Sequence, residues 1–266
     1  MLFLKSITST ANAEVKHFSL LNKSHKYREE CGQFTVEGIR LCGDAAKSSV
    51  KIEKLYFTPQ AREKYAQDVE RLVAFCDEAC EVSEAVSARL SDTKSPQGVF
   101  GVCKMKTGTL SVDGILGGGR YIALENVQDP SNLGAAARTA EALGLDGMAV
   151  FGGCDIFSPK ALRASMGAFF RLPVLIEPDG VQTVKALTDG GVCTFACVPD
   201  SAALDVRELK TGGSTLAVIG NEGNGISEEM KKACRFIVTV PMRGRAESLN
   251  ASHAATIVMW EMTRNG

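Results

Sequence analysis

Apolar and polar positions along this chain switch between two periods. In residues 33–37, Phe34 and Val36 alternate with polar neighbours, as in a half-buried strand. In residues 61–76, Tyr65, Val69, Leu72 and Val73 are spaced for one face of a helix. Reading onward in this way predicts helices over 12–24, 39–48 and 83–90, with strands over 52–58, from Val82, and over 98–103. Beyond residue 120 it predicts strands over 121–125, 147–151, 192–198, 215–220 and 236–240. Helices are predicted between and after them, over 133–143, 159–169, 180–187, 227–232 and 250–263. Strand–helix alternation of this kind builds a mostly parallel sheet covered on both faces. Five glycines in residues 106–120 mark a linker. The expected organisation is therefore a small α/β domain over 1–106, a linker over 107–119, and a parallel-sheet α/β domain over 120–266.

Composition narrows the class without naming it. The chain has 266 residues, 45% of them hydrophobic, enough for two domains with their own cores. No apolar run approaches a membrane span, and Met1-Leu-Phe-Leu-Lys5 lacks the order of a signal peptide. The nine cysteines are scattered, no CxxC pair occurs, and only three histidines are present. Reduced thiols and no metal site are the expectation. Net charge is −1, with 16 Lys/Arg against 14 Asp/Glu in residues 1–106 and 14 against 17 beyond. The cluster Lys23, His25, Lys26 and Arg28 fits a nucleic-acid contact or a solvated helix face.

Three strand–loop–helix junctions carry the candidate chemistry, since open α/β sheets bind ligands where strands end. In the first, Glu125-Asn-Val-Gln-Asp-Pro-Ser-Asn-Leu-Gly-Ala-Ala-Ala-Arg-Thr-Ala140, Pro130 stops the strand and Ser131 or Asn132 can cap the helix. Arg138 lies one to two turns in, placed for a ligand or for a surface salt bridge. In the second, Val218-Ile-Gly-Asn-Glu-Gly-Asn-Gly-Ile-Ser-Glu-Glu229, the glycines leave backbone N–H groups free to meet a ligand, or simply form a tight turn. Their order is neither the dinucleotide fingerprint nor a P-loop. Glu222 in this loop disfavours phosphate and favours a neutral or cationic ligand. In the third, Val240-Pro-Met-Arg-Gly-Arg-Ala-Glu-Ser-Leu-Asn-Ala-Ser-His-Ala254 crowds polar groups around Leu249, which reads as buried. His253 fits a packed ring better than a base, and Trp260 fits the core or an interface.

At these junctions the chain resembles the SpoU/TrmH family of SPOUT-class RNA methyltransferases. The resemblance rests on Asn126-x-x-Asp-Pro-x-Asn-x-Gly-Ala-x-x-Arg-Thr-Ala140, Ile219-Gly-Asn-Glu-Gly-x-Gly-Ile-Ser227 and Pro241-Met-x-Gly-x-x-x-Ser-Leu-Asn-x-Ser252. Ser165-Met-Gly-Ala-x-Phe-Arg-Leu-Pro173 adds a fourth segment. Lys26-Tyr-Arg-x-x-x-Gly-x-Phe-x-Val-Glu-Gly-x-Arg40 is similar to the ribosomal-protein-like substrate domain of many members, which points to ribosomal more than transfer RNA.

The resemblance implies a trefoil knot in the C-terminal domain, an exception to unknotted topology. It implies S-adenosylmethionine as methyl donor and a homodimer whose site draws on both chains. It implies 2′-O-methylation of a ribose in RNA, and the scattered, reduced cysteines place the chain in the cytoplasm. By family position Gly220, Asn221, Val240, Met242, Leu249 and Asn250 hold the donor, while Asn132, Arg138, Glu222, Ser248 and Asn250 serve catalysis. A guanidinium stays protonated, so Arg138 is read as a charge-assisted donor to phosphate and developing alkoxide, not as a base. Lys23, Lys26, Arg28 and Arg40 are expected on RNA phosphates. The competing readings are a transfer-RNA methyltransferase and a knotted RNA-binding assembly factor without turnover.

Overall fold

A computed structural model describes residues 5–106, 109–209 and 212–264. Most of the segment read for a leader, 1–4, and part of the expected linker, 107–108, lie outside the described residues. The chain folds as two compact units, one of residues 1–106 with 157–170, the other of 107–156 with 171–266.

The first unit runs β1 (Lys5–Ile7), α1 (Ala13–Lys23), α2 (His25–Cys31), β2 (Gln33–Glu37), α3 (Ile39–Lys47), β3 (Ile52–Phe57), α4 (Pro59–Lys64), α5 (Ala66–Phe75), β4 (Cys76–Val82), α6 (Glu84–Leu90) and β5 (Val99–Lys104). Its sheet has the order β1-β4-β3-β5-β2. The first three of these strands are parallel, and β5 pairs antiparallel with both β3 and β2. Phe18, from α1, meets Tyr56 and Phe100 edge-on in the core, each with centroids 6.0 Å apart.

Several elements depart from the periodicity reading. The helix expected over 61–76 breaks at Tyr65, whose φ of −120° and ψ of 37° are not helical. The strand expected to begin at Val82 ends there and starts at Cys76. Its acids hid it: Glu78 is answered by Lys54 from β3 at 3.2 Å and by Lys5 from β1 at 3.8 Å. Glu14, Glu78 and Cys80 place potential metal-ligand atoms within 4.8 Å of one another. Lys54 and Lys5 already neutralise both carboxylates, and burial pushes the Cys80 thiol up to about 11, so the cluster is an ion-pair network. Helix α2 has almost no apolar pattern. Ser24 starts it by accepting from Tyr27 N at 3.2 Å, and Gly32 ends it at φ 62°.

The second stretch runs α7 (Val112–Leu116), β6 (Arg120–Glu125), α8 (Pro130–Ala142), β7 (Gly147–Phe151), α9 (Pro159–Ser165), β8 (Val174–Glu177), α10 (Val181–Asp189), β9 (Cys193–Cys197), β10 (Leu204–Asp205), β11 (Thr215–Ile219), α11 (Glu228–Ala233), β12 (Phe236–Thr239) and α12 (Ala251–Thr263). Of these, α9 belongs to the first unit. There Phe157 and Phe170 lie 4.8 Å and 6.0 Å from Phe34.

The second unit's sheet is parallel throughout, in the order β10-β12-β9-β11-β6-β7-β8. One face carries Tyr121, Ala123, Leu216 and Val218 into a core closed by Ile115, Val184, Leu187 and Met230 of α7, α10 and α11. The alternate residues Ile122, Leu124 and Ala217 are also buried, beneath α8 and α12, which pack together. Burial on both faces is what a parallel sheet requires. The segment expected as linker is built into this core: Leu110 and Ile115 are buried in it, and Ser111 caps α7.

Candidate functional site

Because the sheet is parallel, β6, β9, β11 and β12 all end on one side, and their following loops meet there. A cavity of about 440 Å³ opens among the last three. That is the size of a small-molecule site. Gly220, Asn221, Glu222, Val240, Met242, Ser248 and Leu249 line it; Asn250, named with them for the donor, is not on the lining. Cys197, Val198 and Pro199 at the end of β9 line it too and were missed. The rule that ligands sit at strand ends was enough to find them, because the strand itself was read. Leu249 was expected to be buried; it is 38% exposed because it faces the cavity.

The glycine loop is held by Asn221. Its N–H and C=O pair with those of Gly225 at 3.0 Å each way. Its Oδ1 accepts from Gly223 N at 2.7 Å and Asn224 N at 3.0 Å, while Nδ2 donates to the Asn126 carbonyl at 2.6 Å. Gly220 makes the tight return possible, since a Cβ there would lie 2.3 Å from the Gly225 carbonyl carbon. Beyond the loop, Ser227 caps α11 and donates from Oγ to buried Glu125 at 2.6 Å, and its N–H adds a second bond at 3.0 Å. The glycine loop is thus pinned to the end of β6.

The three junctions are joined by side chains. Asn250 Nδ2 donates to Asn132 Oδ1 at 3.0 Å, and Asn132 Nδ2 donates to Glu222 Oε1 at 2.7 Å. The Gln128 N–H reaches Glu222 Oε2 at 3.3 Å. Asn250 also caps α12, accepting from Ser252 N at 2.9 Å. Partial burial alone would raise the Glu222 carboxyl. The bond from Asn132 and backbone N–H groups outweigh it and hold the carboxyl below its ordinary range, so it is ionised at neutral pH. Burial pushes the Cys197 thiol up to about 11, leaving that wall neutral. Asp129, not Ser131 or Asn132, caps α8, accepting from Ser131 N at 2.9 Å. Asn132 is thereby free for Glu222.

The other expected residues lie elsewhere. Arg138 is exposed on α8, does not line the cavity, and has no hydrogen bond or ion pair among the described residues. Lys23 and Arg40 are exposed in the first unit, and Lys26 is exposed and pairs with Glu30 at 3.8 Å. Arg28 was expected on phosphate but is only 3% exposed. Its guanidinium donates to the Leu21 and Asn22 carbonyls at the end of α1. It closes a helix terminus and is not a surface cation.

An S-adenosyl group can be tested against this cavity. Ile219, Val240 and Leu249 supply apolar walls, the loop supplies backbone donors and acceptors, and ionised Glu222 suits a sulfonium. Among the described residues Lys231 is the one cation on the lining and is paired with Glu228 at 2.7 Å, so no unpaired cation is there to meet a phosphate-bearing cofactor. The residues present fit an adenosine carrying a cationic tail.

Fold and site together define a parallel α/β domain that binds a nucleoside-type donor at its strand ends, in a chain with a separate mixed-sheet unit. Residues 119–260 match the SpoU rRNA Methylase family, and residues 12–101 match the MRM3-like substrate binding domain. The chain belongs to the SpoU rRNA methylase family. A Bacillus subtilis relative, 23S rRNA (guanosine(2553)-2′-O)-methyltransferase RlmP, is 29% identical over 97% of this chain and 99% of its own. The AdoMet-bound rRNA methyltransferase of Sinorhizobium meliloti superposes with a TM-score of 0.87 at 29% identity, over 98% of each chain. The SpoU methyltransferase AviRb of Streptomyces viridochromogenes, in complex with AdoMet, gives 0.85 at 28% identity, over 96% of this chain and 98% of its own. No helix among the described residues is long and apolar enough to cross a membrane.

Proposed function

We propose that this chain is an S-adenosylmethionine-dependent methyltransferase that methylates a ribose 2′-oxygen in ribosomal RNA. The observation that carries the reading is the Asn250–Asn132–Glu222 chain of hydrogen bonds at the cavity, which ties the three family motifs together. Full-length similarity to enzymes named for 23S rRNA supports ribosomal over transfer RNA.

When bound, S-adenosylmethionine supplies a methyl group activated by its sulfonium. The chain's own residues do the rest. Gly220, Asn221, Val240, Met242 and Leu249 bind the adenosine. Glu222 provides the negative charge that a cationic donor requires, and Asn132 holds that carboxylate in place. Asn250 and Ser248 orient the groups around it. Arg138, unpaired and exposed, holds a phosphate of the target and stabilises the developing alkoxide as a protonated donor, while the 2′-hydroxyl proton is lost to solvent.

Residues 120–266 carry transfer, and residues 1–106 hold RNA through Lys23, Lys26 and Arg40. The chain acts in the cytoplasm as a homodimer, its C-terminal segment threaded as a trefoil knot. Exposed Ile257 and Trp260, at 37% and 55%, support a second copy covering α12.

The test is incubation with tritiated S-adenosylmethionine and either ribosomal or transfer RNA, followed by mapping of the label. Label on ribosomal ribose is expected. Arg138→Ala is expected to abolish transfer while calorimetric donor binding stays within about twofold of wild type. Label confined to transfer RNA, or no heat with the donor, rejects the reading.

A further inference from the structure

Glu37, Gly38 and Arg40 close the N-terminal motif yet take no part in the donor site. They meet at a second cavity of about 220 Å³, whose lining lies wholly in the first unit. Its wall is built deliberately. Glu37 accepts from Ser91 Oγ at 2.6 Å, Asp92 N at 3.0 Å and Thr93 Oγ1 at 2.6 Å, drawing that loop to the start of α3. Gln97 Oε1 accepts from Ile39 N at 3.0 Å, and a Cβ on Gly38 would come within 3.0 Å of the same oxygen. Glu37 and Gln97 are therefore committed to architecture.

What is left uncommitted has the chemistry of a nucleotide site. Arg40 has no hydrogen bond or ion pair among the described residues. Arg163 binds Asp92 through Nη2 at 2.7 Å, but its Nη1 is buried without a partner. That nitrogen is sealed from the cavity by protein, so the partly exposed remainder of the Arg163 guanidinium is what a ligand can meet. Leu41 and Met166 add apolar wall. Asp44, one turn beyond Arg40 on α3, forms no ion pair with it and offers a free acceptor. Two guanidinium groups suit a phosphate, an apolar wall suits a base plane, and a carboxylate suits the N–H edge of guanine or cytosine. The volume is below that of whole small-molecule sites, about 300–1,000 Å³, and has room for one base but not a pair.

We infer that this cavity holds a single unpaired nucleotide of the RNA substrate, extruded from its stack and distinct from the nucleotide that is methylated. The inference rests on the ribosomal-RNA reading above for its ligand. Unpaired nucleotides are the part of an RNA that side chains can read by their edges. Arg40 and Arg163 position the phosphate, and Asp44 selects bases that present N–H donors.

The experiment uses the full chain and a transcript of 23S rRNA. The bound transcript is crosslinked by ultraviolet light and the attached peptides are mapped by mass spectrometry. In parallel, methyl-transfer kinetics are compared for wild type, Arg40→Ala and Asp44→Asn. Crosslinks in residues 38–44 or 163–166 are expected. KM for RNA is expected to rise about tenfold in each variant, with kcat and donor affinity held. Wild-type KM in both variants, with crosslinks only elsewhere, overturns the inference. A wild-type protein that crosslinks at these peptides but labels no ribosomal RNA leaves the cavity standing and removes the methylation reading. Should a variant fold poorly, the wild-type crosslink decides.

Discussion

Gly220 and Glu14 show how much one residue can decide here. Alanine at 220 would press its methyl to 2.3 Å from the Gly225 carbonyl carbon. The nearest atoms are all backbone of Gly225 and Ile226, with no flexible side chain to yield. Gly220→Ala is expected to cost about 1–3 kcal/mol of stability and to weaken donor binding at least tenfold, roughly 1.4 kcal/mol, as read by calorimetry. A variant that binds donor as wild type shows the loop is not the donor's seat. Glu14 sets an acid limit. Partial burial alone would raise its carboxyl, but hydrogen bonds from Lys5, Lys54 and Tyr56 overcome this and hold it at about 2. A carboxyl depressed in the folded state stabilises above its unfolded value near 4.5 and loses that contribution as pH falls toward 2. Discounted for partial solvent exposure, the effect is about 2 kcal/mol. Glu14→Gln should therefore flatten the decline in melting temperature between those limits. An unchanged profile shows the network to be idle. At this scale the family motifs in the sequence pointed to part of the cavity lining, Gly220, Asn221, Val240, Met242 and Leu249, but not to Cys197, Val198 and Pro199 at the end of β9. Sequence reading misplaced Arg28, since no pattern announces that a lysine-rich helix end will turn one arginine inward onto carbonyls.

Elements were legible where apolar periodicity was strong. The central strands β6, β7, β9 and β11 are buried almost throughout and were found with nearly their final limits. Helix α2 and strand β4 were missed because their stability is not written in apolar spacing. The first depends on Ser24 and Gly32 at its ends, the second on lysines supplied by neighbouring strands. Strand β8 escaped because Val-Leu-Ile-Glu is only four residues between prolines. Helix α11 offers a test of how the site is tied together. Ser227→Ala removes its cap and the hydroxyl bond to buried Glu125. The expected loss is about 1–2 kcal/mol, read by urea denaturation, with donor affinity falling as the glycine loop loosens. A Ser227→Thr variant should restore most of both. If alanine leaves stability and affinity intact, the loop is held by other means.

The whole molecule raises the question of what covers α12. Trp260 is 55% exposed and Ile257 37%, on the helix whose cap, Asn250, reaches the site through Asn132. If the proposed dimer forms through α12, Trp260→Asp is expected to sediment as a monomer where the wild type sediments as a dimer, with little change in melting temperature, and to abolish methyl transfer. An active monomer would show that one chain suffices. A sequence can display such a tryptophan but not whether a partner sits on it, since core and interface share the same chemistry.

The segment 157–170 carries a consequence for synthesis. It is numbered inside the methylase match, yet it clusters with the first unit, where Phe157 and Phe170 stack near Phe34. The chain therefore leaves its amino-terminal half, begins the second sheet, and returns to finish the first. On a translating ribosome the amino-terminal half cannot complete its core until residue 170 has cleared the exit tunnel, well into the making of its neighbour. Maturation of the two halves is thereby locked in time, and neither can be cleanly released from the other by a single cut.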